Sequence, residues 1–314
     1  MQPLHPRVAC LEAMSELPVR CVLLGAAGQL GFDLGRTFNL PDEIVPLTRA
    51  DLDILDTARV SELLRELRPT HVVNATAYNQ VDRAEDDPAP AFALNATAVE
   101  HLARTCQALR ATLIHFSTDY VFDGRGRTPY SERDTPNPIN RYGESKLLGE
   151  RLAQVACERV LIIRVCGLFG VARATGHGTN FVETMLRLAE AGRPLRVVTD
   201  QVLTPSYTLE LAKKVWRLLP MAAPGIYHLT NAGQTSWYDF TREIFSLSGL
   251  DVEVTPVTAA EFGARARRPA YSVLAHDGLA ALGEDDLRTW RHALDAYLRE
   301  RATVRSPGAA PPGF

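Results

Sequence analysis

Val19-Arg-Cys-Val-Leu-Leu24 is a short β-prone run that leads straight into Gly25-Ala-Ala-Gly28-Gln29-Leu30-Gly31 and then into a helical pattern from Phe32 to Phe38. Strand, glycine turn, helix is the setting in which such glycines carry meaning. Gly25 permits the tight turn, Gly28 lets backbone approach a pyrophosphate, and Gly31 lets the helix pack close to the strand. The first turn of that helix offers free N–H groups and a positive dipole end to phosphates. The spacing is Gly-x-x-Gly-x-x-Gly rather than Gly-x-Gly-x-x-Gly. The stretch predicts the opening βα unit of a dinucleotide-binding sheet.

Working outward, Glu43–Leu47 reads as the second strand, ending in Thr48 and Arg49. An acid there would favour NAD through the adenosine ribose; a hydroxyl and a guanidinium suit a 2′-phosphate, which points to NADPH, with NADH left open. Asp53 is a candidate for the adenine amino group, and Asp56 is placed to cap a helix over Thr57–Leu67. His71–Asn74 is a third strand, and the small residues Ala75, Thr76 and Ala77 would let a cofactor lie across its end. Val81–Asp87 reads as a charged, solvated loop. The helix from Pro88 to Leu109 contains Asn95, either a satisfied polar residue or a bond that props neighbouring strand ends. Ala111–Phe116 is a fourth strand, the Pro-rich stretch 129–138 excludes helix, and Val160–Val165 is a buried strand.

This βαβα alternation predicts an α/β protein of Rossmann type, a doubly wound parallel sheet with a smaller, mixed α/β substrate-binding domain. The expected division is 19–167 for the NAD(P)-binding domain, with a return segment at about 207–230, and 168–206 plus 231–302 for the substrate domain. Within the second part, 170–178 reads as a flexible loop. Phe181–Glu190, 208–219, 236–248 and 286–299 read as helices, and 195–198 and 225–229 as strands. Residues 1–18 and 303–314 read as flexible extensions, and Met14 is an alternative start. Arg265-Ala-Arg-Arg268 is a basic cluster that serves either solubility or substrate phosphates.

The chain has 314 residues and a net charge of −3, which gives no electrostatic case for nucleic acid or an anionic membrane. No apolar run approaches the roughly 20 residues of a membrane span, and the first residues carry Glu12 and Glu16 where a signal peptide would be apolar. Five scattered cysteines, none in a CxxC pair, fit reduced thiols in the cytoplasm.

The chemistry concentrates between Ser117 and Lys146. Tyr142 and Lys146 stand four apart, on one face of a helix. A positive charge beside a phenol lowers its pKa, which makes the pair a tunable proton donor. Ser117 and Thr118 place hydroxyls at the carboxyl end of a strand, where open α/β sheets bind ligands.

Taken together, Gly25-x-x-Gly28-Gln-Leu-Gly31, Asn74-Ala-Thr-Ala-Tyr78 with Val81-Asp82-x-Ala-Glu85, Leu94-Asn95-Ala, Ser117-Thr-Asp-Tyr-Val-Phe-Asp-Gly124, Tyr142-Gly-x-Ser-Lys146, Asn180-Phe181, Asp200-Gln201 and Arg268-Pro269 resemble the dTDP-4-dehydrorhamnose reductases, extended short-chain dehydrogenase/reductases, over about residues 19–300. The resemblance implies that NADPH or NADH reduces the C4 carbonyl of dTDP-4-dehydro-6-deoxy-L-mannose to give dTDP-L-rhamnose. Tyr142 would protonate the alkoxide, Lys146 would lower the Tyr142 pKa and bind the nicotinamide ribose, and Thr118 would hold the sugar oxygen. It further implies cofactor contacts from Gly25, Gly28, Gln29, Leu30, Gly31, Thr48, Arg49, Asp53, Ile54, Ala75, Thr76 and Ala77, and substrate contacts from Thr118, Asp119, Tyr142, Asn180 and Arg268. Dehydratases on the same scaffold carry Asp-Glu after the threonine; here the pair is Asp119-Tyr120, which favours plain carbonyl reduction. Several reductases have Ser-Trp where this chain has Cys166-Gly167, so the sugar is open. Some members dimerise around Mg²⁺; Asp33 and Glu210 are candidate equivalents, Mg²⁺ is left open, and no metal ligand is assigned. A homodimer is left open as the assembly. A non-catalytic NADP-binding regulatory subunit resembling that of methionine adenosyltransferase and a nucleotide-sugar epimerase are the alternative functions.

Overall fold

The structure, a computed structural model, describes residues 20–39, 43–172 and 180–305. The expected extensions and most of the expected loop at 170–178 lie outside the described residues.

In chain order the elements begin β1 (Arg20–Leu24), α1 (Gln29–Thr37), β2 (Glu43–Leu47), α2 (Thr57–Leu67), β3 (His71–Asn74), α3 (Val81–Asp86) and α4 (Ala89–Phe92). A π-helical turn over Ala93–Thr97 joins α4 to α5 (Ala98–Leu109), followed by β4 (Thr112–Thr118), α6 (Arg141–Ala156), β5 (Val160–Val165) and β6 (Leu168–Phe169). Then come α7 (Phe181–Glu190), β7 (Leu195–Val198), β8 (Val202–Leu203), β9 (Ser206–Tyr207), α8 (Thr208–Leu218), β10 (Gly225–His228) and β11 (Thr235–Ser236). The described chain ends with α9 (Trp237–Ser248), β12 (Val254–Val257), α10 (Ala259–Phe262), α11 (Asp277–Ala281) and α12 (Trp290–Arg305).

Six strands form one sheet in the order β10-β5-β4-β3-β1-β2, every pair parallel. The order reverses between β1 and β3, which is where such sheets open a crevice at their carboxyl edge. Alternation along β1 explains the layers. Cys21 and Leu23 face Leu30 and Leu34 of α1 and Leu211, Val215 and Trp216 of α8. Val22 and Leu24 face Val60 and Leu64 of α2 and Leu102 and Cys106 of α5. Period-2 side chains on a strand covered on both faces leave no polar side, hence its continuous apolar reading. Pro46 is tolerated because β2 is an edge strand, where a missing N–H breaks no inner ladder. Asp56 caps α2 as expected, accepting from the Arg59 N–H at 3.0 Å.

A third apolar cluster gathers Phe169, Val182, Met185, Leu186, Val197, Tyr207, Phe240, Ile244, Leu294 and Tyr297. It joins α7, α9 and α12 to the paired strands β7–β12 and β6–β9, a unit beside the main sheet. Two expectations are corrected here. Residues 81–86 form helix α3 rather than a solvated loop, because their acids have distant partners described below. The last helix begins at Trp290 and not at Asp286, because Arg288 O and Trp290 N–H bond the backbone of Ala232 and hold the approach extended. No described helix is long and apolar enough to cross a membrane.

Candidate active site

The glycine turn is tight for steric reasons. Gly25 adopts φ +79°, and a Cβ there would lie 3.0 Å from the Ala75 carbonyl carbon. A Cβ on Gly31 would overlap the Gly25 carbonyl oxygen and stand 2.8 Å from its carbon, so the helix packs on the turn only with glycine at this position. Gly28 caps α1 without a side chain, and no acid stands in the first turn, so the turn is open to an anion. Gln29, Leu30 and Gly31 form that first turn, and Ala75, Thr76 and the exposed Ala77 form the facing wall. These features fit a dinucleotide pyrophosphate.

The adenosine end is less free than expected. The Thr48 hydroxyl and N–H both donate to Asp51, at 2.7 and 2.8 Å, and these bonds hold the Asp51 carboxyl below its ordinary range. The Arg49 guanidinium is 87% exposed, with a 3.3 Å contact to Asp53, and is free to swing. Asp53 also accepts from the Leu55 N–H. The Ile54 side chain is buried in the core.

The end of the site that holds Thr118, Tyr142 and Lys146 is built by β4 and α6. Asn140 caps α6, accepting from the Gly143 N–H at 2.7 Å and donating to Arg267 O at 2.8 Å. A Cβ on Gly143 would come within 3.1 Å of the Tyr120 carbonyl carbon, so the helix starts directly on the chain that follows Thr118. Tyr142 and Lys146 thereby face the end of β4. The Tyr142 ring stands edge-on to Tyr120, with centroids 5.8 Å apart. Lys146 is buried, donates to Phe116 O at 2.6 Å, and lies 3.4 Å from His115 Nε2. The Thr118 hydroxyl donates to Asp119 Oδ1 at 3.0 Å and accepts from the Tyr120 N–H at 3.2 Å. Ser117 Oγ is buried with no hydrogen-bond partner.

The expectation that Lys146 lowers the Tyr142 pKa is corrected in this structure. Burial pushes the phenol up to about 12, the Asp119 charge adds to the rise, and the bond with Thr118 opposes it. The same burial brings the Lys146 amine down to about 8, against the pull of Glu150.

Three proposed substrate contacts are already engaged within the protein. Asp119 is buried, takes the Cys166 thiol at 3.1 Å as well as Thr118, and has its carboxyl raised by that burial. Asn180 caps α7 through its oxygen and donates to Gln29 Oε1 at 3.0 Å and Gly170 O at 2.9 Å, which leaves its amide no free hydrogen. Arg268 forms a two-pronged pair with Asp82, at 2.7 and 3.1 Å, and Arg265 pairs with Asp86. The basic cluster therefore docks its loop on α3.

Asn95 meets its structural reading. Its oxygen accepts from the Tyr78 N–H at 2.9 Å, and its nitrogen donates to Tyr78 O and Ser145 Oγ, both at 3.0 Å. The π turn brings its backbone onto α6, where a Cβ on Gly149 would overlap the Asn95 carbonyl. Asp33 and Glu210 are each met by an arginine, Arg36 and Arg288. No group of three metal-ligating side chains occurs among the described residues. Sequence reading assigned no individual role to Asn74, His115 or Asp82. A histidine inside an apolar strand was the available signal for His115.

Comparison with known proteins follows this geometry. A family profile described as the RmlD substrate binding domain matches residues 19–303. The spore coat polysaccharide biosynthesis protein SpsK of Bacillus subtilis (strain 168) is 40% identical over 286 residues, 91% of this chain and 99% of its own. A dTDP-4-dehydrorhamnose reductase of Streptomyces griseus is 40% identical over 283 residues, 88% and 91% of the two chains. The crystal structure of the dTDP-4-dehydrorhamnose reductase of Bacillus anthracis str. Ames in complex with NADP superposes with a TM-score of 0.85 at 35% identity, covering 90% of this chain and all of that one. With the profile spanning the sheet, the glycine turn and the Tyr142–Lys146 helix alike, the chain belongs to the RmlD family, that of the dTDP-4-dehydrorhamnose reductases.

Proposed function

We propose that this protein reduces the C4 carbonyl of a dTDP-linked 4-keto-6-deoxy sugar with NADPH, and that the substrate is dTDP-4-dehydro-L-rhamnose. The observation that carries the reading is the convergence of Thr118, Tyr142 and Lys146 at the carboxyl edge of the sheet, beside a glycine turn shaped for a pyrophosphate.

When bound, the cofactor supplies the hydride. The protein supplies the proton and the geometry. A phenol held near 12 keeps its proton at neutral pH, and it releases that proton only to a stronger base, such as an alkoxide forming at C4. The Thr118 hydroxyl bonds the Tyr142 phenol in the sense that lowers its pKa, so Thr118 eases release of that proton toward C4. Lys146 stands one helical turn from Tyr142 and binds the nicotinamide ribose. Cys166 lies where several reductases carry a serine followed by tryptophan, so the sugar face rests on other side chains.

The test is NADPH oxidation with dTDP-4-keto-6-deoxyglucose, with and without a 3,5-epimerase, followed by NMR of the product. Epimerase-dependent turnover to dTDP-L-rhamnose supports the assignment. Turnover without the epimerase moves the substrate to another 4-keto sugar. Tyr142→Phe is expected to lose about 10²–10⁴ in kcat with NADPH affinity kept. Activity within a few-fold of wild type would remove Tyr142 as the acid.

A further inference from the structure

The charge state of Lys146 follows from the direction of three hydrogen bonds behind it. The Thr76 N–H lies 3.1 Å from Asn74 Oδ1, and a backbone N–H only donates, so the amide oxygen faces Thr76. The Thr76 hydroxyl donates to the same oxygen at 2.6 Å. The Asn74 nitrogen therefore faces His115 Nδ1, at 3.2 Å, and it too only donates. Nδ1 must accept, which puts the single proton of the neutral ring on Nε2. His115 is fully buried, and that burial holds its pKa well below the ordinary value, so the ring carries no second proton.

Nε2–H then points at Lys146 Nζ, 3.4 Å away. An ammonium has three N–H groups and no lone pair, so it would oppose donor to donor. An uncharged amine accepts from Nε2–H and still donates to Phe116 O. We infer that His115 is a positioning residue that stabilises the uncharged form of Lys146 in the cofactor-free protein, and that Lys146 takes up a proton as the cofactor binds. The other groups around Nζ are few. Glu150, one turn along α6, favours the ammonium, but Arg164 of β5 holds that carboxylate with bonds of 2.9 and 2.7 Å. Tyr142 lies one turn back and is protonated. Asp119, at the end of β4, is engaged by Thr118 and Cys166.

The second half of the inference rests on the assignment of Lys146 to the nicotinamide ribose. A ribose oxygen gives the amine a new acceptor, which favours the ammonium, and the added proton comes from solvent. Without that proton Lys146 is a poor partner for a phenolate; with it, the site is charged only once loaded.

The chain contains three lysines, 146, 213 and 214, so each ε-carbon is separately visible by NMR. Lys213 is exposed and Lys214 is paired with Glu284 and Asp286, which leaves Lys146 as the outlier. In the full chain labelled at lysine Cε, Lys146 is expected to titrate at or below about 8. Labelling with ¹⁵N-histidine is expected to show His115 as the Nε2–H tautomer. His115→Phe removes the N–H without adding charge and should raise the Lys146 midpoint by about one unit, roughly tenfold in the equilibrium. Should that variant fail to fold, Asn74→Asp turns the amide donor into an acceptor, moves the ring proton to Nδ1, and should raise the midpoint as well. An Nδ1–H tautomer in the wild type, or an unchanged midpoint in the folded variant, overturns the His115 contact. Calorimetry with NADP⁺ at about pH 8.5, in two buffers of different ionisation enthalpy, should read uptake of close to one proton. No uptake overturns the cofactor half and the ribose assignment with it, while the free-protein titration judges His115 independently of turnover.

Discussion

Glu150→Gln is expected to cost most of the protein's margin of stability, although it alters one atom on a helix side chain. Glu150 and Arg164 are each 1% exposed, and two bonds of 2.9 and 2.7 Å join the carboxylate to the guanidinium. Arg164 Nη1 lies 3.4 Å from His228 Nε2, and the guanidinium sits over the Phe122 ring at 5.2 Å. Glutamine keeps the shape but leaves a full positive charge in the interior and turns an amide N–H₂ toward N–H donors. Removing one partner of a buried pair costs about 3–5 kcal/mol, because the other charge stays desolvated. With a urea m-value of about 3 kcal/mol/M, the midpoint should fall by about 1–1.7 M. The same reasoning makes the double variant Glu150→Leu/Arg164→Met nearly neutral, since an apolar pair of similar volume carries no uncompensated charge. Equilibrium urea unfolding followed by tryptophan fluorescence reads both. A loss below about 1 kcal/mol for Glu150→Gln, or a double variant as weak as the single one, would refute the account.

Three further outcomes follow from other sites. Gly31→Ala drives a Cβ into the Gly25 carbonyl and should weaken NADPH binding at least about tenfold, read by fluorescence titration with far-UV circular dichroism unchanged. His228 is buried and neutral, its pKa brought down to about 3 by burial first and Arg164 second. The unfolded chain therefore binds a proton below about pH 6.5 that the folded chain refuses, and stability should fall by about 1.4 kcal/mol per unit from there toward 3. His228→Gln should flatten that part of the urea-midpoint profile between pH 7 and 5, and an unchanged slope would contradict the assignment. Gly149→Ala would force α6 off the Asn95 carbonyl, moving Tyr142 and Lys146 together. It should lower kcat about 10²-fold with the melting temperature reduced by only a few degrees, which steady-state kinetics and a thermal scan will check.

The sheet was legible because its signals are local. Alternation in β1, the turn at Gly25–Gly31 and the Asp56 cap are each decided by neighbours in sequence. The Tyr142–Lys146 pair was legible because helical spacing alone puts both on one face. What was not legible depends on partners far along the chain. Asp82 looked solvated because Arg268, which engages it, lies 186 residues away. Asn180 looked free because Gln29 is 151 residues distant. The Tyr142 pKa was misjudged because a sequence shows the neighbouring charge but not the burial, and here burial is the larger effect.

The edge of the sheet has a consequence for how the chain is made. β10, which covers β5, is drawn from residues 225–228, after the whole of β6 to α8. Gly225 follows Val165 by 60 positions, which a ribosome adds in about 3–12 s at 5–20 residues per second. Throughout that interval Val160-Leu-Ile-Ile-Arg-Val165 has one hydrogen-bonding side without its final neighbour, in a run rich in β-branched and apolar side chains. The nascent chain is thus most prone to pair with another copy of itself while Thr118, Tyr142 and Lys146 have already been synthesised, and early chaperone protection would matter most in that interval.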